Sequence, residues 1–146
     1  MSMNSQARIV IVGGGIMGVA LAYHLAEEGE TNVMLIEKGE LTSGSTWHAA
    51  GQCPSLVSNY NLAKIHDYGN RLYPTLEEKT GQYVSWHASG GIRVARQQAD
   101  IDWFHYMKGI ADNVGFHMEI IDAAKIKELN PFYDIDGVIA GAWTLD

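Results

Sequence analysis

The chain has 146 residues, of which 47% are hydrophobic and 18% charged, so it is long enough to bury a core. Ten basic and 17 acidic residues give a net charge of −7, and no basic cluster is present. We therefore expect no binding to nucleic acid or to an anionic membrane. The single cysteine, Cys53, excludes an internal disulfide and a cysteine-based metal site.

The first residues do not have the pattern of a secretion signal, in which a charged stretch precedes an apolar core. No apolar run reaches the 18 residues that a transmembrane helix needs. The H-E-x-x-H, C-x-x-C and Ser-His-Asp patterns are absent as well, which argues against a metal site and a hydrolase. We expect a soluble protein in the cytoplasm.

Residues 8–37 contain the pattern around which the chain is organised. The β-branched run at 8–12 predicts a buried parallel strand, and it leads directly into a glycine-rich segment. Apolar residues at helical spacing between 19 and 26 predict a helix that stops at Gly29. A second apolar run at 33–36 predicts another strand, so the segment is a strand–helix–strand unit.

Three glycines in this unit fit the dinucleotide-binding pattern G-x-G-x-x-G. Gly13 permits a tight turn, Gly15 lets the backbone approach a pyrophosphate, and Gly18 lets the helix pack closely on the strand. The start of the helix faces the phosphate charge. Glu37, at the tip of the second strand, is placed to accept hydrogen bonds from both ribose hydroxyls, and we include Lys38 in the same site. No arginine lies beside Glu37, which argues against NADP and leaves FAD and NAD.

Small and hydroxylated residues dominate the segment from Gly39 to Gly51. It follows the second strand, so we expect it on the cofactor side of the sheet. Ser45 and Thr46 can offer polar contacts to a pyrophosphate, and Ala50 with Gly51 leaves room for a flat ring. His48 is the strongly nucleophilic side chain of this segment, although composition alone favours a hydrogen-bonded loop histidine next to a packing residue, Trp47.

The glycine pattern, Glu37 and residues 43–51 (SGSTWHAAG) together resemble the dimethylglycine and sarcosine dehydrogenase family of flavoproteins, within the D-amino-acid-oxidase-like FAD enzymes. Residues 61–66, 76–82 and 91–95 fit as well. The resemblance implies an α/β fold with a Rossmann-type FAD-binding βαβ unit and part of an antiparallel substrate domain. It also implies FAD that is linked covalently to His48 through the flavin 8α carbon.

The resemblance further implies oxidation of a secondary or tertiary N-methylated amine such as dimethylglycine or sarcosine. Hydride would pass from the N-methyl carbon to the flavin, and oxygen or an electron-transfer flavoprotein would accept the electrons. The catalytic base would lie beyond Asp146, so we expect an N-terminal part of a longer enzyme whose missing C-terminal part, or self-association, covers its apolar surface. A stable monomer in light scattering would contradict that expectation. Two alternatives remain, a non-catalytic regulatory or scaffold relative and an NAD-dependent dehydrogenase.

We predict three parts: residues 1–55 in the FAD-binding domain, 56–81 as a helical connection and 82–146 in a partial substrate domain. The connection should be one helix over 59–80, or two that break near Pro74. Beyond it we expect strands at 82–86, 92–95, 116–121 and 137–143, with a turn at 89–91, and helices at 101–113, after Asp100, and at 123–129, after Asp122. We expect Cys53 to be buried, His66 and His87 to be structural or surface residues, and most of Trp86, Trp103, Phe104, Tyr106 and Trp143 to lie in the core.

Overall fold

The computed structural model describes residues 6–145, which form two compact units that divide between Gln52 and Cys53. The predicted division into three parts stays a prediction. None of the helices in the described part of the chain is both long and apolar enough to span a bilayer.

The first unit is a parallel βαβ unit, as the sequence predicts. Strand β1 (Ile9–Val12) leads into helix α1 (Ile16–Glu27), and strand β2 (Val33–Ile36) pairs in parallel with β1. In this register Ile9 lies opposite Val33 and Val12 opposite Ile36. Parallel pairing needs a crossover, which α1 supplies, and it brings the carboxyl ends of both strands to one edge.

The prediction that β1 is buried is wrong for one of its two faces. Ile11 is buried and faces α1, since its Cγ2 lies close to Gly18 of that helix. Val10 and Val12 point to the opposite face, and Val12 is 84% exposed. Successive side chains of a strand alternate between faces, so a helix on one side covers only every second residue.

The second unit combines three helices with an antiparallel sheet. Helix α2 (Tyr60–Thr80) comes first, followed by strand β3 (Gly91–Ala95) and helix α3 (Gln98–Val114). Strand β4 (Glu119–Ile121), helix α4 (Ala123–Leu129) and strand β5 (Ala140–Thr144) complete it. The strand order is β3-β5-β4, with β5 antiparallel to both neighbours. The last strand in the chain is therefore the central strand of the sheet.

The expected strand at 82–86 is wrong, because residues 83–90 form no strand. Ser85 has φ 55°, in the left-handed region that interrupts an extended chain, and β3 pairs with β5 instead of with residues 82–86. The strands expected at 116–121 and 137–143 are confirmed over shorter or shifted ranges, those of β4 and β5. Strand ends depend on the partner that supplies hydrogen bonds, which sequence periodicity does not reveal.

Helix boundaries are predicted better, because they depend on local capping groups. Helix α2 runs through Pro74 without a break, from its cap Asn59, whose side chain accepts from the amide of Leu62 at 3.1 Å. Helix α4 starts after Asp122, as predicted. Helix α3 begins three residues earlier than predicted, because Gln97 is its cap and Asp100 bonds back to the Gln97 amide in a capping box.

The core of the second unit lies between α2, α3 and the sheet. Its buried members include Leu56, Ala63, Phe104, Met107 and Ala142. Of the five aromatic residues assigned to the core, Phe104 is buried, while Trp86, Trp103 and Trp143 are partly buried. Tyr106 lies outside the core, on the exposed face of α3, and its hydroxyl donates to the Ser58 carbonyl at 3.4 Å.

Phe104 gives a direct test of this core. We expect Phe104→Ala to lower the free energy of unfolding by about 3–5 kcal/mol, because the side chain is 2% exposed and its removal leaves a cavity. Phe132→Ala is the matched control, since Phe132 is 97% exposed and its removal should change stability by less than about 0.5 kcal/mol. Urea denaturation followed by circular dichroism measures both. Equal losses for the two variants would contradict the assigned core.

Candidate dinucleotide-binding site

A tight turn connects β1 to α1 and is fixed by glycine geometry. Gly13 has φ 107°, which side-chain-bearing residues rarely adopt, and its amide donates to the Ile36 carbonyl at 2.8 Å. At Gly18, an added Cβ would lie 1.9 Å from the Gly13 carbonyl oxygen. The first turn of α1 thus packs directly against the glycine turn, and its first amides point toward the same edge of the sheet.

Glu37 joins the end of β2 to this turn. Its Oε2 accepts from the Gly14 amide at 2.7 Å, and its Oε1 accepts from the Gly39 amide at 3.0 Å. These bonds, the one from Gly14 above all, hold the pKa of Glu37 below its ordinary value, and the neighbouring Lys38 acts in the same direction. A carboxylate has about four acceptor positions, so Glu37 keeps capacity for ribose hydroxyls while it orders the turn.

The segment that follows β2 lies against the glycine turn. The Thr42 amide donates to the Gly14 carbonyl at 2.9 Å, and the Ile16 amide donates to Thr46 Oγ1 at 2.9 Å. Ile16 is the first residue of α1, so the Thr46 hydroxyl satisfies one of the free amides at the start of that helix. Two separate hydrogen bonds therefore attach the segment to the strand–helix turn.

His48 sits in a short series of turns within this segment. Its Nδ1 lies 2.9 Å from the Gly44 carbonyl oxygen, and the ring is exposed. A carbonyl oxygen only accepts hydrogen bonds, so Nδ1 carries the proton and Nε2 of the neutral ring has a free lone pair. The neighbouring Trp47 is 78% exposed, and the reading of it as a packing residue is therefore wrong within the described residues.

Most of the remaining predicted residues are exposed. Gly15 caps α1 and lies beside the Thr46 hydroxyl, whereas Lys38, Ser45, Ala50 and Gly51 are exposed. Gly13, Gly15, Gly18, Glu37 and Thr46 thus come together around one turn, and His48 lies on the segment bonded to it. That these residues bind a cofactor remains a prediction.

The predicted site residues do not include two contributors, Gly14 and Gly44. Gly14 donates to Glu37 and accepts from Thr42, so it links both sides of the turn. Gly44 supplies the carbonyl that orients the imidazole of His48. Gly14 occupies an unspecified position of the glycine pattern, so the pattern itself does not point to it.

Other candidate reactive groups lie in the second unit. Cys53 is only half-buried rather than buried, and desolvation raises the pKa of its thiol, which lowers the thiolate fraction needed for redox chemistry. His66 Nδ1 contacts the Pro54 carbonyl at 2.6 Å, and His87 Nε2 contacts Ser85 Oγ at 3.3 Å. Both contacts agree with structural roles for these histidines.

A cavity of about 250 Å³ in the second unit is lined by Trp86 and Phe116, together with the side chains of Asp67 and Arg71. Aromatic walls suit an alkylated ammonium group. However, Arg71 forms an ion pair with Asp67 at 2.6 Å, so the pair presents no net negative charge to a cation. We assign no role to this cavity.

Glu37 gives a pH-dependent test of the glycine turn. A carboxylate whose pKa is lowered by folding stabilises the fold above its ordinary pKa of 4.5, and this contribution is lost as the pH falls through the lowered value. We therefore expect Glu37→Gln to be less stable than the parent at neutral pH and to match it in strong acid. Thermal unfolding across this range measures the difference, with Glu78→Gln, on an exposed position of α2, as control. A difference that does not change with pH would contradict the assigned bonds.

Comparison with known proteins identifies the family of the chain. Residues 8–146 match the family described as FAD dependent oxidoreductase (DAO). Over 138 residues the chain is 45% identical to dimethylglycine dehydrogenase, mitochondrial, from Rattus norvegicus. This alignment covers 94% of this chain and 16% of the relative. The chain is 38% identical over 141 residues to 4-methylaminobutanoate oxidase (formaldehyde-forming) from Paenarthrobacter nicotinovorans, covering 97% and 17%. The chain thus spans about a sixth of the length of these curated relatives.

A solved structure gives the same result for the fold. L-proline dehydrogenase from P. horikoshii superposes with a TM-score of 0.89 at 27% identity, over 98% of this chain and 37% of that one. The glycine turn, the amides at the start of α1 and the carboxylate of Glu37 are of the chemical kind that the adenosine diphosphate half of FAD requires. The chain therefore belongs to the DAO family of FAD-dependent oxidoreductases.

Proposed function

We propose that the protein carrying this chain oxidises an N-methylated amine that also bears a carboxylate, using FAD. The observation that carries the proposal is the attachment of the His48 segment to the glycine turn, because the predicted dinucleotide site and a nucleophilic imidazole are then neighbours. The names of two relatives support the substrate class, because dimethylglycine and 4-methylaminobutanoate are both N-methylated amino acids.

Each residue of the site has a distinct part in this proposal. The amides at the start of α1 hold the pyrophosphate, while Glu37 accepts from the ribose and keeps the turn ordered. Lys38, Ser45 and Thr46 supply nearby polar contacts, and Ala50 with Gly51 leaves space for the ring. When bound, FAD supplies the two-electron acceptor for a C–H bond next to the amine nitrogen.

We also propose that His48 forms a covalent bond to the 8α-methyl carbon through Nε2, since its Nδ1 proton is engaged with Gly44. The Nε2 lone pair becomes the new N–C bond, and one methyl hydrogen leaves as a proton. Bound FAD would supply the oxidising ring for this bond, and the two electrons would go to the acceptor used in turnover, oxygen or an electron-transfer flavoprotein. The electron-withdrawing imidazole then favours reduction by an amine.

Anaerobic addition of dimethylglycine to the flavin-loaded protein tests the function. We expect the absorbance of the oxidised flavin to bleach, and to return when the electron acceptor is admitted. Glycine, which has no N-methyl group, is the matched control and should leave the spectrum unchanged. Bound FAD that no N-methylated amine bleaches would favour a non-catalytic regulatory or scaffold relative. Binding of NAD in place of flavin would favour an NAD-dependent dehydrogenase.

A further inference from the structure

Two hydrogen bonds hold the His48 segment on the glycine turn, and they differ in kind. The bond from the Thr42 amide to the Gly14 carbonyl is made by backbone alone and is largely independent of side-chain identity. The bond from the Ile16 amide to Thr46 Oγ1 depends on a hydroxyl side chain. Thr46 therefore offers a point at which a single substitution can release the segment from α1 while the rest of the chain is unchanged.

The path from Thr46 to His48 is short and internally bonded. The His48 amide donates to the Ser45 carbonyl at 3.2 Å, and the Trp47 amide donates to the Gly44 carbonyl at 3.2 Å. The His48 ring closes the same turn through its Nδ1 contact with Gly44. Because the turn is bonded at its backbone and at its imidazole, a shift of residue 46 is transmitted to the ring at residue 48.

We infer that Thr46 is a positioning residue for His48. Through its hydrogen bond to Ile16, Thr46 couples the proposed diphosphate-binding position at the start of α1 to the direction in which His48 Nε2 points. This inference rests on the proposed function, since it assigns Thr46 to the step that links His48 to the flavin. Ile16, the partner of Thr46, is the first residue of the helix whose amides face the pyrophosphate. Placement of the dinucleotide and placement of the imidazole thus share one hydrogen bond.

Three variants separate positioning from general effects. Thr46→Val removes the hydroxyl and nearly retains the shape of the side chain, while Thr46→Ser retains the hydroxyl. Thr80→Val is the matched control, since Thr80 at the end of α2 also uses its hydroxyl in a local bond, to the Leu76 carbonyl at 2.7 Å. Thr80 belongs to the second unit and has no part in the proposed site.

The first measurements need no flavin. Nitrogen NMR of the cofactor-free protein should show His48 protonated at Nδ1, and hydrogen exchange should show a protected Ile16 amide. In Thr46→Val we expect a mixture of ring tautomers and faster exchange at Ile16. Both signals should return in Thr46→Ser and stay unchanged in Thr80→Val. If Thr46→Val retains the parent ring signals and Ile16 protection, the inference is wrong.

The second measurement uses protein saturated with FAD and compares the variants at equal flavin occupancy. It follows the rate of covalent linkage, measured as the fraction of flavin that denaturation no longer removes. We expect Thr46→Val to slow linkage about tenfold or more, because misplacement of a reacting group is costly, and Thr46→Ser to restore it. Linkage at the parent rate, or complete loss of FAD by Thr46→Val, would overturn the inference. A parent protein that links no flavin but shows the expected NMR and exchange changes would refute the covalent bond and uphold the positioning role.

Discussion

His48→Ala is expected to abolish the flavin fluorescence that survives denaturation, while the variant still holds FAD without the bond. The Nε2 lone pair of His48 is free because Nδ1 donates to the Gly44 carbonyl, and alanine offers no nucleophile in its place. The glycine turn and Glu37 do not depend on the imidazole for their hydrogen bonds, so non-covalent binding should persist. Acid precipitation followed by a denaturing gel viewed under ultraviolet light measures the retained flavin.

His105→Ala is the control for this experiment, because His105 lies at an exposed position of α3 in the second unit. It should retain the fluorescence of the parent. A fluorescent band in His48→Ala would mean that another residue forms the link. A dark band from a parent protein that is yellow before denaturation would mean that FAD is held without a bond, and the amine-oxidising function would then rest on the bleaching experiment alone.

Gly18→Ala is expected to destabilise the first unit and to abolish FAD retention. The new Cβ would lie 1.9 Å from the Gly13 carbonyl oxygen, and the obstacle is backbone rather than a flexible side chain. Relief requires α1 to move away from the turn, which costs about 1–3 kcal/mol or more and displaces the amides that face the pyrophosphate. Thermal unfolding and the flavin absorbance left after gel filtration measure the two effects.

Gly109→Ala is the matched control, since Gly109 lies inside α3 and an added Cβ there meets nothing within 4 Å. Alanine has the higher helix propensity, so we expect this variant to gain about 0.5–1 kcal/mol of stability and to retain FAD. If Gly18→Ala retains stability and FAD as Gly109→Ala does, the close packing of α1 on the glycine turn is not required for FAD binding.

Local sequence was sufficient wherever structure depends on neighbouring residues. Helix α4 spans Ala123–Leu129 as predicted from the Asp122 cap, and α2 ends at Gly81 in the left-handed conformation. The strand–glycine–helix–strand order of residues 8–37 predicted a parallel βαβ unit for the same reason. Backbone preference, capping and apolar periodicity all act over a few residues, so the printed order of residues contains them.

The predicted strand at 82–86 failed because strand pairing is not a local property. Residues 91–95 find their partner in residues 140–144, and the left-handed Ser85 interrupts the segment that was predicted as a strand. The exposure of Val12 also depends on what covers the second face of the sheet, and α1 covers only the face of Ile11. Pairing and burial are set by contacts between residues far apart in the chain, which are not visible in a window of sequence.

The sequence by itself determined the βαβ unit, the glycine turn, the acid at the tip of β2 and, through residues 43–51, the family. Only the tertiary structure decided how these parts are joined: Glu37 accepts from the amide of Gly14, and Thr46 accepts from the amide of Ile16. The physical reason is that the residue types in a site follow from the chemistry they must perform, whereas hydrogen bonds between segments 23 and 30 residues apart form only when folding brings the segments together.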